Sequence, residues 1–152
     1  AQTPRGLAEL LRGAEHAVAL TGAGVSTESG IPDFRSAGGL WERGDPMEVA
    51  SMATFLSDPS RFWSFHRPRI DMLSGVDPNP AHAALAAMEA AGVLRALITQ
   101  NIDRLHSRAG SASVIEVHGA LDRGVCLRCR VSALIMPCVM FWIMGTKMSV
   151  SI

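Results

Sequence analysis

Residues 21–35 read TGAGVSTESGIPDFR, and the reading of this stretch decides the fold class. It follows His16–Leu20 (HAVAL), a short apolar run with the character of a buried strand. Gly22 and Gly24 stand where a chain leaving a sheet must turn sharply and let its backbone approach a ligand. Ser26 is placed to cap a short helix, whose free N–H groups and dipole favour an anion. The next glycine is Gly30, so the G-x-G-x-x-G dinucleotide fingerprint is not met, and a bare G-x-G also fits a plain βα turn. The continuation adds weight. Ile31-Pro32-Asp33-Phe34-Arg35 sets a rigid turn, a carboxylate, an aromatic ring and a guanidinium directly after the glycines.

Working outward, the chain alternates strand and helix signals. Thr3 and Pro4 form a cap and first-turn pair before a stripe of Leu7, Leu10 and Leu11, which Gly13 ends. Residues 36–46 read as a polar, glycine-rich loop around Trp41. A helix is expected across 47–56 and another from Asp58 and Pro59, which Pro68 should kink or shorten. Asn79 and Pro80 open the clearest helix, AHAALAAMEAA, ended by Gly92. Val93–Ile98 and Val114–Val117 read as strands, with Thr99–His106 a loop entering a short helix. This order predicts an α/β fold, a Rossmann-like parallel sheet flanked by helices, with ligand groups at the carboxyl ends of its strands.

Three chemical clusters follow the three strands: Gly22 to Arg35, Thr99 to Asp103, and His118-Gly119. A parallel sheet would bring them to one crevice. Gln100 and Asn101 carry both donors and acceptors, suited to an amide or a ribose, and Asp103 can accept from an amide N–H. His118 has the chemistry of a general base at neutral pH. Taken singly, Asn101 and Asp103 also fit turn or cap residues, and His118 a structural histidine.

Composition excludes several function classes. The 152 residues amount to one domain, and 14 basic residues balance 14 acidic ones, so no global field draws nucleic acid. Three cysteines, two of them in a C-x-x-C pair, point to a reducing compartment, and the amphipathic N-terminal stretch lacks the apolar core of a signal peptide. A cytoplasmic protein is the expectation.

Residues 131–152 differ from the rest. Every basic residue before position 131 is arginine, the single lysine is Lys147, and the last acidic residue is Asp122. Residues 131–146 carry no formal charge, but sixteen residues interrupted by Pro137 are marginal for a membrane span, so no membrane partner is expected. The expected organisation is residues 1–130 as the catalytic region, incomplete, and 131–152 as a divergent hydrophobic tail. A truncation or reading-frame change near residue 131 would produce that pattern.

GAGVSTESGIPDFRS, TQNIDRLHSRAG and IEVHG, in that order and followed by Cys-Leu-Arg-Cys, closely resemble the sirtuin family of NAD-dependent protein deacylases. The resemblance runs from about residue 5 to about residue 130. It implies that Gly22, Ala23, Gly24 and Ser26 lie against the NAD phosphates, and that Ile31, Asp33, Phe34 and Arg35 belong to a cofactor loop near the nicotinamide ribose. It further implies that Gln100 contacts that ribose, that Asn101, Ile102 and Asp103 receive the nicotinamide carboxamide, and that His118 is the catalytic base. In sirtuin-type chemistry the acyl oxygen of a modified lysine displaces nicotinamide at the ribose C1′, and the histidine then activates a ribose hydroxyl. The implied partner is an acyl-lysine protein or peptide.

The same resemblance makes Cys126 and Cys129 the first half of a structural zinc site, for which only Cys138 remains as a further thiol. A closed site needs four ligands. His66 and Arg69 match the spacing of a Tyr and an Arg that hold acidic acyl groups in some sirtuins, although the chain contains no Tyr; a solvated polar helix face is the other reading. Two alternative activities stay open: an NAD glycohydrolase or ADP-ribosyl transferase, and a non-catalytic NAD-binding module. A sheet lacking its later strands leaves an edge and a face uncovered, which predicts self-association.

Overall fold

Residues 3–33, 51–127, 130, 132–134 and 148–150 are described by the computed structural model. Helix α1 (Pro4–Gly13) begins as expected, the Thr3 side chain accepting from the Gly6 N–H at 3.1 Å. Strand β1 (Val18–Thr21) leads into a 3₁₀ segment, Ala23–Ser29. Two helices follow, α2 (Met52–Ser57) and α3 (Pro59–Ser74), and then α4 (Pro80–Ala90). Strand β2 (Ala96–Thr99), the single turn α5 (Leu105–Arg108) and strand β3 (Val114–Glu116) complete the first unit.

The three strands form a parallel sheet in the order β1-β2-β3, as the strand and helix alternation predicts. Val18 to Thr21 pair in register with Ala96 to Thr99, and Leu97 to Thr99 with Val114 to Glu116. Alternation in a strand assigns the two faces. Leu97 and Thr99 are buried on one face, at 1% and 3% exposure. The row Leu20-Ile98-Ile115 lies on the other, where Leu20 is 68% and Ile115 52% exposed. On this face Ile98 is half-buried at the centre, while Leu20 and Ile115 on either side of it are exposed.

Besides shifts of one or two residues at the ends of β1 and β3, three differences from the sequence expectation have a visible cause. β2 starts at Ala96 rather than Val93, because the N–H groups of Val93 and Leu94 both turn back to the Met88 carbonyl at the end of α4. Gly92, at φ 72°, supplies the left-handed residue that this reversal requires. The 3₁₀ segment is capped by Gly22, not Ser26, whose side chain is turned inward instead.

The third difference concerns Pro68. It does not shorten α3, which continues to Ser74. The apolar face of α3 carries the reason: Phe62 and Trp63 before the proline, and Ile70 and Leu73 after it, all pack in one cluster with Phe55 of α2 and Leu121. The aromatic rings meet edge to face, Phe55 and Phe62 at 5.1 Å and Phe62 and Trp63 at 5.5 Å between centroids. Burial on both sides of Pro68 outweighs one lost backbone hydrogen bond.

A second sheet, antiparallel, has β4 (Arg123–Cys126) at its centre, between β5 (Ser132–Leu134) and β6 (Met148–Val150). The described parts of 131–152 are thus strands paired with β4. Among the described residues, no helix is long and apolar enough to cross a membrane.

Helix α4 is anchored at its first turn. The Asn79 Oδ1 accepts from the N–H groups of Ala81 and His82 while the His82 ring accepts from the Asn79 N–H, a reciprocal capping box. Asn79 Nδ2 also donates to the Val25 carbonyl at 2.7 Å, which ties α4 to the 3₁₀ segment. Replacing Asn79 with Ala removes both the cap and the tie, so urea denaturation should show a loss of about 2 kcal/mol. Replacing Ser57, whose hydroxyl among the described residues bonds the Ala53 carbonyl of its own helix, should change stability by less than about 0.5 kcal/mol.

Candidate active site

The three strand ends converge through backbone bonds. The Gln100 N–H donates to the Thr21 carbonyl at 3.0 Å and the Val117 N–H to the Thr99 carbonyl at 3.0 Å, which extends the ladder one residue past the strands. The glycine turn, the Thr99–Asp103 loop and His118 therefore lie at the carboxyl end of one small sheet.

Ser26 is the node where these elements meet. Its side chain is 1% exposed, and its hydroxyl donates to Asp103 Oδ2 at 2.7 Å. It accepts from Asn101 Nδ2 at 3.1 Å. The second Asn101 Nδ2 hydrogen goes to the Gly22 carbonyl at 3.1 Å, which fixes the orientation of the amide. Because His82 Nδ1 accepts from Asn79, its Nε2 carries the proton and donates to Ser26 Oγ at 3.5 Å. The hydroxyl thus uses its one donor and both acceptor positions. Asp103 Oδ1 accepts from the Leu105 N–H at 3.0 Å, so the same carboxylate starts helix α5.

A second chain of hydrogen bonds lies beneath. Thr21 donates to Thr99 Oγ1 at 2.9 Å, and that oxygen also accepts from the Asn101 N–H at 3.1 Å. With its hydroxyl proton spent, Thr21 accepts from His106 Nε2 at 2.9 Å. His106 is 1% exposed, its Nδ1 has no partner among the described residues, and its ring meets that of His82 at 4.7 Å. Burial holds both histidines below the ordinary imidazole value of 6.5; each also feels the Asp103 charge, which opposes the shift, and His106 feels His82, which adds to it.

His118 is exposed, and its Nδ1 lies 2.9 Å from the Gln100 carbonyl. A carbonyl only accepts, so Nδ1 carries the proton and Nε2 keeps its lone pair for an incoming hydroxyl. Gly119, at φ 75°, lets the chain turn away directly after it. The His118 ring is thus oriented by the same loop that carries Asn101 and Asp103.

The remaining expected residues fall in several places. Ala23, Ile31 and Asp33 are half-buried along the first turn and Gly24 is exposed, whereas Phe34 and Arg35 lie outside the described residues. Ile102 packs on the Phe55–Phe62–Leu121 cluster. His66 is buried rather than solvated, 4% exposed, with its ring 4.3 Å from that of Phe62 and 5.2 Å from that of Phe65. Its position in the Phe62–His66–Ile70 row at four-residue spacing explains the burial. The side chain of Arg69 lies outside the described residues, as do Cys129 and Cys138. Cys126 is buried at the end of β4, and no cluster of three metal-ligating groups occurs among the described residues.

Sequence reasoning missed His82 and His106. Both sit in helical runs where a histidine reads as ordinary surface. The available signal was the position of His82 three residues after the Asn79 cap, the place from which a side chain reaches back to the cap.

Comparison with known proteins places the molecule. A family model described as the Sir2 family matches residues 22–137. The chain is 52% identical over 125 residues to NAD-dependent protein deacylase 2 of Archaeoglobus fulgidus, covering 82% of this chain and 49% of that protein. It is 50% identical over 126 residues to the NAD-dependent protein deacetylase of Caldivirga maquilingensis, covering 83% and 49%. Among solved structures, a Sir2 homolog–NAD complex aligns at a TM-score of 0.85 and 38% identity, over 99% of this chain and 61% of the other. A Sir2–p53 peptide–NAD complex aligns at 0.76 and 41%, over 88% and 52%. The chain spans about half the length of the curated relatives it matches.

The histidine pair has a consequence for pH. Both rings stay neutral in the fold and gain protons on unfolding, so the unfolded state binds more protons just below pH 6.5. Their contribution to stability is present above that value and is lost as pH falls from it toward their lowered folded values. The thermal midpoint should drop between about pH 7 and about pH 5, and drop less steeply in His106→Gln.

Proposed function

Because the chain belongs to the Sir2 family, we propose that it carries the nicotinamide side of an NAD-dependent protein-lysine deacylase site. The observation that carries this reading is the orientation of His118, whose Nδ1–H is held by the Gln100 carbonyl while Nε2 is left to take a proton. A base fixed by the pocket loop is what a reaction at the bound ribose requires.

The residues on the first turn fit a dinucleotide. A Cβ added at Gly24 would meet nothing within 4 Å, and neither Gly22 nor Gly24 has a positive φ, so glycine at these positions is not demanded by packing or by the turn. It leaves room for an external group to come against the backbone. In this reading Gly22, Ala23 and Gly24 line the phosphates, the buried Ser26 holds their turn from beneath, and Ile31, Asp33, Phe34, Arg35 and Gln100 surround the ribose.

NAD, when bound, supplies a glycosidic bond whose cleavage releases nicotinamide and opens C1′ to attack. The chain's own residues orient and move a proton. Asn101, Ile102 and Asp103 hold the carboxamide: the Asn101 amide is fixed by Gly22 and Ser26, and Asp103 keeps lone pairs free beyond those used by Ser26 and Leu105. His118 Nε2 takes the proton of a ribose hydroxyl. His66 is taken up by the apolar row it shares with Phe62 and is assigned no contact with the acyl group. Zinc, structural in this reading, is assigned no step; Cys126 and Cys129 would supply two of the four ligands of a closed site. The exposed Leu20 and Ile115 on one face of the sheet favour self-association in the isolated chain.

Incubation with NAD and an acetyl-lysine peptide tests the reading. Peptide-dependent nicotinamide release that falls by about 10²–10⁴ in His118→Ala is the expected result. Release without peptide would assign the chain to NAD glycohydrolysis, and absence of NAD binding by folded protein would remove the cofactor altogether.

A further inference from the structure

Arg104 sits between the pocket carboxylate Asp103 and helix α5, in a left-handed backbone conformation with φ 64° and ψ 8°. A Cβ is disfavoured there and glycine is the easy occupant, so an arginine in this position has to be held by its side chain. Its guanidinium reaches back across the sheet end. Nη1 lies 2.9 Å from each carboxylate oxygen of Glu116 in β3, and Nε lies 3.4 Å from Asp122 Oδ2 just before β4. The pair is shielded, with Arg104 27% and Glu116 16% exposed. The other Asp122 oxygen, Oδ1, is buried without a partner among the described residues, which leaves the Arg104 contact as the neutralising one on view for that carboxylate.

These contacts close a seam. Residues 99–102 are already bonded to 117–121 by main-chain and imidazole groups: Val117 N–H to Thr99, His118 Nδ1–H to Gln100, and Leu121 N–H to Ile102 at 3.0 Å. Arg104 adds the charged link at the end of the seam, between the residue after Asp103 and the residue two before His118. We propose that Arg104 is a positioning residue, holding the Asn101–Asp103 loop in register with the His118 end of β3 through Glu116 and Asp122. That this register matters for nicotinamide rests on the proposed function; the link itself does not.

The ligand-free full chain tests it through the ¹⁵N spectrum of the His118 imidazole, which distinguishes the Nδ1–H from the Nε2–H tautomer. Arg104→Gly relieves the backbone and removes the charge, and Glu116→Gln keeps the shape and removes the acceptor charge. Both should keep the circular dichroism of the wild type, lose the single Nδ1–H signature in favour of a tautomer mixture, and add nothing to each other when combined. Arg104→Lys keeps one charge without the fork and should partly restore the signature. A folded Arg104→Gly chain with an unchanged His118 spectrum would overturn the proposal, as would full additivity of the two changes. Should Arg104→Gly fail to fold, the Glu116→Gln spectrum decides by the same criterion. A nicotinamide titration of the wild type, run alongside, bears on the proposed function alone.

Discussion

The hydroxyl of Ser26 is the constraint on which the rest of the site depends. It is buried, it has one proton and two lone pairs to satisfy, and it satisfies all three with groups from distant parts of the chain: Asp103, Asn101 and His82. A buried hydroxyl left short of partners costs roughly 1–3 kcal/mol, so the glycine turn, the pocket loop and the first turn of α4 must arrive together or not at all. The elements that would bind a cofactor are also the elements that hold the sheet ends in place.

Directional polar bonds of this kind are needed because apolar burial is limited in this part of the molecule. The parallel sheet has three short strands, one face of which leaves Leu20 and Ile115 exposed, and the main apolar cluster, around Phe55, Phe62 and Leu121, meets the strand ends through Ile102. Leu97 and Thr99 contribute the buried sheet face, but Thr99 spends its oxygen on Thr21 and Asn101. The neutral His82 and His106 fill the space between α4 and α5 with flat rings that can also hydrogen-bond, a combination that no aliphatic side chain offers.

Most of the topology was legible in the chain because strand, helix and turn signals agreed at Gly22–Gly24, Asn79–Pro80 and Gly92. The parallel sheet and the convergence of three strand ends follow from that alternation. What was not legible depended on tertiary contacts. Pro68 reads as a stop, yet packing on both sides of it carries α3 to Ser74. Ser26 reads as a cap, yet its hydroxyl serves Asp103, seventy-seven residues away. His66 reads as solvated because its neighbours are Arg67 and Arg69, whereas the row it shares with Phe62 takes it inward. Arg104 and Glu116 are unremarkable in sequence, and only the left-handed backbone shows what they do.

The claim that the glycine turn and the Thr99–Asp103 loop are one cooperative unit is tested most directly by a double-mutant cycle of Ser26→Ala and Asp103→Asn, read by urea denaturation of the ligand-free chain. A coupling of about 1 kcal/mol or more between the two changes is the predicted result. Additivity within about 0.3 kcal/mol would mean that the two residues act independently, and would contradict the account.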